Sequence, residues 1–251
     1  VDINKGDDLH PRYRSRLVAR QLKCRDSSGA SYFAPAPPLE ALRTILSLAT
    51  TEVGGHVPNW EPLSEDRTQL LLLDISRAYF NAKEDQENPT YVQLPPEDPD
   101  HGQCVAKLLR CMYGTRAVAD GWQTEYSTML VQELGFAQGT SCANVFRHDE
   151  KSIRISVHGD DFQCLGGKRD LDWLEAEIKK HYECTVQPRL GPGPTDAKTG
   201  LVLNRVIHWN ENSFSYEADP RQLERLITEC GLDGAKPVST PGTKATADEL
   251  A

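Results

Sequence analysis

Four consecutive leucines, Leu70 to Leu73, open the stretch LLLLDIS at residues 70–76. A short unbroken apolar run of this kind predicts a strand buried on both faces of a sheet. Elsewhere the period is two. Ile153, Ile155 and Val157 alternate with Arg154, Ser156 and His158, which predicts a half-buried strand. Phe162 to Leu165 predicts another, and His158-Gly159-Asp160-Asp161 between them has ordinary turn chemistry. RYRSRLVARQLK (12–23) predicts a strand with arginines on one face. TYVQL (90–94), CVAKLL (104–109), LVLNRVIHW (201–209) and SFSYEA (213–218) predict further strands.

Helical spacing is carried by four segments. Leu39, Leu42, Ile45, Leu46 and Ala49 follow Pro37-Pro38 and should end at Gly54-Gly55. Trp122, Tyr126, Met129, Leu130 and Leu134 end at Gly135. DLDWLEAEIKKHY starts at Asp170, a suitable N-cap. DPRQLERLITECG has Asp219 as cap, Pro220 in its first position and Gly231 at its end. Strands and helices interleave without a repeat, which predicts an α+β domain. No Gly-rich nucleotide fingerprint follows a strand, so a doubly wound α/β sheet is excluded. RLGPGPTDAKTG (189–200) is a loop without the P-loop order.

Composition narrows the class. The 251 residues are 38% hydrophobic and 26% charged, as in a globular chain. No apolar run reaches the ~20 residues that span a membrane. The opening VDINKGDDLHPRYRSR lacks the apolar core of a signal peptide. Seven scattered cysteines with no C-x-x-C pair predict reduced thiols and an intracellular setting, a cytoplasmic particle or the nucleus. Cys104, Cys111 and His101 fit no common zinc spacing. The net charge of −9 excludes a general nucleic-acid coat. The charge is uneven, however. Residues 1–48 carry eight Lys/Arg against five Asp/Glu, a local +3 on an acidic remainder. That suits a protein that meets phosphate at one place, or an ordinary solvated strand face.

Two readings stand for the carboxylates. Asp160-Asp161 is either a plain hairpin turn or part of a metal site. Asp74, at the end of its apolar run, is either a cap or a ligand. A carboxylate ending a buried strand is costly unless paired or metal-bound. Asp74 and Asp160-Asp161 would converge on one side of a sheet, where Mg²⁺ relieves their mutual repulsion. Two such ions about 3.5–4 Å apart serve phosphoryl transfer.

Several blocks, in order, resemble the reverse transcriptase domain of copia-type (Pseudoviridae-like) LTR retrotransposons. YRSRLVARQLK resembles the basic fingers strand, and YFAPAPPLEALRTILSLA the segment leading into the palm. LLLLDISRAYFNA resembles the first catalytic block, and PTYVQLPPE the segment after it. KLLRCMYGTRAVADGW resembles the Tyr-Gly-Leu-Lys-Gln-Ala-Pro-Arg-Ala-Trp block. SVHGDDFQCLG is similar to the Tyr-Val-Asp-Asp hairpin, and LERLITECGLDGAKPVSTPG to the stretch closing the domain.

The resemblance implies one domain over residues 1–251 with a right-hand polymerase fold and an antiparallel-sheet palm. Fingers fall at about 1–49 and 82–119, palm at about 50–81 and 120–212, partial thumb at about 213–251. It implies RNA-directed DNA polymerisation on an RNA/DNA template-primer with dNTPs, and no membrane partner. Asp74, Asp160 and Asp161 are the implied catalytic set. The Ile75 carbonyl joins them around two Mg²⁺ ions, with Mn²⁺ as the alternative. Tyr79 is implied to stand against the sugar 2′ position, Arg16 to meet the triphosphate, and Lys198 to be a candidate acid for pyrophosphate, with Trp122 as packing. The sequence departs from the pattern at His158-Gly159 and at Ala117–Asp120, where Asp120 would bring negative charge toward the nucleotide. Those departures keep a second reading open, a transposon-derived binding domain that no longer polymerises. The Gly-Asp-Asp turn keeps a third, an RNA-dependent RNA polymerase, against which Tyr79 argues.

Overall fold

A computed structural model describes residues 2–4, 9–22, 32, 34–51, 67–210, 213–217 and 220–236. In chain order the elements are β1 (Asp2–Asn4), β2 (Tyr13–Ser15), α1 (Leu39–Ala49), β3 (Thr68–Ile75), β4 (Tyr91–Gln93), β5 (Val105–Lys107) and α2 (Val118–Thr128). There follow β6 (Ala137–Gln138), β7 (Val145–His148), β8 (Ile153–His158), β9 (Asp161–Gly167), α3 (Lys168–His181) and β10 (Cys184–Val186). The last are β11 (Thr199–Val202), β12 (Arg205–Trp209), β13 (Phe214–Glu217) and α4 (Pro220–Glu229).

The leucine run does become a central strand. β3 lies between β9 and β10 in an antiparallel sheet of order β10-β3-β9-β8-β7-β6. Its alternate side chains enter two different cores. Leu71, Leu73 and Ile75 meet Trp122, Tyr126, Leu174 and Ile178 beneath α2 and α3. Leu70 and Leu72 meet Leu42, Ile45 and Leu46 of α1, with Ile207 and Trp209 of the small β11-β12-β13 sheet. Each face of the sheet is therefore covered, which is why an apolar run rather than an alternation encodes β3. The same covering explains β8. Ser156 is buried as well as Ile155 and Val157, so the strand is more enclosed than its alternation predicts.

Several boundaries differ from expectation. Among the described residues of the arginine-rich segment, only Tyr13–Ser15 is a strand, paired with β1. Residues 19–21 dock instead on the loop at 113–114, through Ala19 N–H to Tyr113 O (2.8 Å) and Gln21 N–H to Gly114 O (3.2 Å). Gly114 has φ +87°, and a Cβ there would lie 1.9 Å from the Ala19 carbonyl oxygen, so glycine is required for this approach. α1 stops at Ala49, where the Thr51 hydroxyl donates to Ser47 O (2.8 Å). Gly54-Gly55 and Asp219 lie outside the described residues.

α2 starts four residues before Trp122 and closes in a π-helical turn, Met129–Glu133, before Gly135 at φ +75°. Asp170 does not cap α3. β9 runs straight into the helix, Gly167 takes the cap position, and Asp170 sits in the first turn facing Lys151 at 3.5 Å. The stretch 201–209 is two strands, because Leu203 and Asn204 both adopt positive φ (50° and 59°) and reverse the chain. Among the described residues no helix is long and apolar enough to cross a membrane. Their six cysteines are all free thiols.

Candidate active site

β3 ends and β9 begins at the same edge of the sheet, and the ladder sets Asp74 directly across from Asp161. Cross-strand neighbours point to one face, with Cβ atoms about 4.5–5.5 Å apart, where like charges repel. Asp160 precedes Asp161 in the two-residue turn closing β8 and β9. Gly159, the first turn residue, has φ +65°, the conformation a two-residue hairpin takes when glycine comes first. The Ile75 N–H donates to Asp160 O at 2.9 Å, tying the turn to the end of β3. The expected carboxylates are therefore gathered at one corner.

The electrostatics follow from that crowding. Burial pushes the Asp161 carboxyl up to about 6, and the charges of Asp160 and Asp74 add to the rise. Asp74 and Asp160 are exposed and Asp161 is half-buried. An all-oxygen donor set under mutual repulsion fits Mg²⁺ in kind. As positioned, no group of three or more His, Cys, Asp or Glu side chains among the described residues forms a shell that could hold a metal ion. Ile75 itself is fully buried and its N–H is engaged, so only its carbonyl could serve a metal.

A cavity of about 370 Å³ opens beside the turn, lined by His158, Gly159, Asp160 and Asp161 on one side. Tyr79 and the Ala34–Ala36 segment close another side. α2 contributes Ala119, Trp122, Gln123 and Tyr126, which are one helix face at i, i+3, i+4 and i+7. Asp120 follows Ala119 in α2 and is not itself among the lining residues. Asn144 completes the floor, its Nδ2 donating to Tyr126 OH (3.1 Å) and Val157 O (3.3 Å).

Tyr79 stands on a 3₁₀ turn, Ala78–Asn81, which Arg77 opens at φ 53°. Its ring meets Tyr113 edge-on, centroids 4.9 Å apart. Burial raises the Tyr79 hydroxyl pKa, and the charge of Asp160 adds to it. Arg16 lies over the other partner, its guanidinium 5.3 Å from the Tyr113 centroid. Tyr79 and Asp160 both line the cavity, whereas Tyr113 and Arg16, which pack in sequence onto Tyr79, do not.

Lys198 is elsewhere. Its ammonium donates to the carbonyls of Gly191 (2.6 Å) and Gly193 (3.0 Å). That loop is pinned at Leu70, which lies four residues, or about 13 Å, along β3 from Asp74. Lys198 braces a loop there and is not at the carboxylates. His101 contacts Leu94 O (2.6 Å), and Cys104 is exposed while Cys111 is buried, so these three form no metal cluster.

Sequence reasoning favoured packing over contact for Trp122. It does pack, against Tyr126 and Tyr182, but its Nε1–H also donates to Gly159 O at 2.8 Å. The family block that contains Trp122 marked the residue without marking this bond.

No family model matches the chain. Among curated proteins it is similar to the retrovirus-related Pol polyprotein from transposon TNT 1-94 of Nicotiana tabacum, 22% identical over 94% of the chain. It is also similar to the retrovirus-related Pol polyproteins from transposons RE2 and RE1 of Arabidopsis thaliana, each 24% identical over 92% of the chain. The chain spans only 14% to 16% of the length of these relatives. The likeness supports a retrotransposon origin.

Proposed function

We propose that this chain is the RNA-directed DNA polymerase region of a retrotransposon Pol polyprotein. The single observation that carries the reading is the gathering of Asp74, Asp160 and Asp161 at one corner of a central antiparallel sheet. The likeness to transposon Pol polyproteins over more than nine-tenths of the chain supports it. In this reading the six-stranded sheet with α2 and α3 is the palm. The β4-β5 hairpin and the docked segment at 16–22 belong to the fingers, and α4 to a partial thumb.

The primer 3′-hydroxyl oxygen attacks the α-phosphorus of a template-selected dNTP, the bond to the β-phosphate breaks, and pyrophosphate leaves. Two Mg²⁺ ions, held by Asp74, Asp160, Asp161 and the Ile75 carbonyl, would supply the positive charge that activates the hydroxyl and stabilises the leaving group. The chain's own residues set the geometry. Asp74 and Asp160 are exposed, so their side chains could take up an ion at little cost in burial. Tyr79, braced by Tyr113, walls the cavity beside Asp160, and in this reading its ring would exclude a 2′-hydroxyl. Arg16, seated on Tyr113, meets the triphosphate charge.

Incorporation of dNTPs on an RNA template with an annealed DNA primer tests the reading. The parent chain extends the primer and Asp160→Asn does not. One observation favours a second reading, a binding domain of the same origin that does not polymerise: the carboxylates do not form a ligand shell as they stand. Binding of primer-template without extension would select it.

A further inference from the structure

The turn that carries Asp160 is held from two sides. From β3, the Ile75 N–H donates to the carbonyl of Asp160 (2.9 Å). From α2, the Trp122 indole N–H donates to the carbonyl of Gly159 (2.8 Å). These carbonyls belong to the peptide units on either side of the Asp160 Cα. The β8–β9 ladder closes the turn at His158 and Asp161, and a Cβ built at Gly159 would meet nothing within 4 Å.

Trp122 is well suited to the task. It is 1% exposed, and Tyr126 and Tyr182 meet its ring edge-on at 5.4 and 5.2 Å. A buried indole N–H needs an acceptor, and its ring cannot swing to find another. A phenyl ring would fill less of this buried space and make no bond to the turn.

We propose that Trp122 is a positioning residue: its indole N–H fixes the Gly159 carbonyl and so orients Asp160 and Asp161 for cation binding. The proposal rests on the reading of those aspartates as metal ligands. It makes α2 a support that reaches both the cavity wall and the turn.

The test uses the full chain with Trp122→Phe and, at the same position, benzothienylalanine. That analogue keeps the bicyclic ring and lacks the N–H, so it decides the question should the smaller ring fail to fold. Two quantities are read. Amide exchange at Ile75 reports the turn, with Leu71 and Leu73 as internal controls. Mn²⁺ affinity is measured by electron paramagnetic resonance without nucleotide or primer. The expected result is exchange at Ile75 about tenfold faster in both variants, the weight of one buried hydrogen bond, with the controls unchanged. Mn²⁺ affinity falls by a similar factor. Parent-like exchange and parent-like affinity in the benzothienylalanine chain overturn the proposal and return Trp122 to packing alone. Should the parent take up no Mn²⁺, the metal reading fails and the proposal with it. Ile75 exchange then reports only whether the clamp exists. Should the parent bind Mn²⁺ without extending a primer, the polymerase reading fails and both readouts still decide the role of Trp122.

Discussion

Asp74 and Asp161 face each other across the β3–β9 ladder, the last residue pair of that ladder before the Gly159–Asp160 turn. Two carboxylates in directly opposed positions are unfavourable for a sheet. The fold places them there at the end of a strand whose Leu70 to Leu73 are buried on both faces. Such a cost at the end of a sheet is what a functional site would explain.

Asp161 should show that cost through pH. Its carboxyl is pushed up to about 6, chiefly by burial. The folded value lies above the unfolded one, so the folded state holds the proton more tightly. The stability gained is complete below about pH 4 and is lost as pH rises through the folded value. Asp161→Asn removes the charge. It is expected to stabilise the chain at about pH 8 by ~1 kcal/mol, a figure discounted for solvent screening. At about pH 4 it changes little. Urea melts at the two pH values check the difference.

Divalent metal should relieve the same repulsion. Millimolar Mg²⁺ is expected to raise the melting temperature of the parent by about 3 °C, with reversal by EDTA. In Asp160→Asn the shift should vanish. Differential scanning fluorimetry with and without Mg²⁺ reads both.

Tyr79 should govern sugar choice. Replacing the ring with Ala opens the cavity wall beside Asp160. The ratio of dNTP to rNTP incorporation by Tyr79→Ala is expected to fall by about tenfold or more. Single-nucleotide kcat/KM values for each sugar measure it. An unchanged ratio would return Tyr79 to a core aromatic.

The Arg67–Asp196 pair, at the opposite end of β3, should be purely structural. Asp196 accepts hydrogen bonds from Arg67, from Gln69 Nε2 (2.8 Å) and from Gly193 N–H (2.9 Å). Burial works to raise its pKa, yet these bonds hold the carboxyl below the usual carboxylate range. The sign is therefore opposite to that of Asp161. Its contribution is complete above the unfolded pKa and is lost as pH falls through the folded value. Asp196→Asn is expected to cost about 3 kcal/mol at neutral pH, and less in acid. Chemical denaturation across pH follows it.

How much of this was legible depends on the kind of interaction. β3 was legible because a strand covered on both faces needs an unbroken apolar run, and Leu70 to Leu73 supply one. The hairpin was legible because Gly159 and the aspartates have turn chemistry. The pairing of Asp74 with Asp161 was not, since periodicity gives the faces of a strand and not its partner. β6, β7 and β10 were too short or irregular to show a period. The Trp122 bond joins residues 37 apart, and a tryptophan at helical spacing reads as core. Lys198 was misplaced because a loop carries it to the other end of β3.

The central claim, that the corner at Asp74, Asp160 and Asp161 polymerises DNA on RNA, is tested most directly by one measurement. Parent and Asp160→Asn chains are given an RNA template, an annealed DNA primer, dNTPs and Mg²⁺, and primer length is followed beside primer-template binding. The account predicts that both chains bind and only the parent extends. Binding without extension by the parent, or equal extension by both, would contradict it.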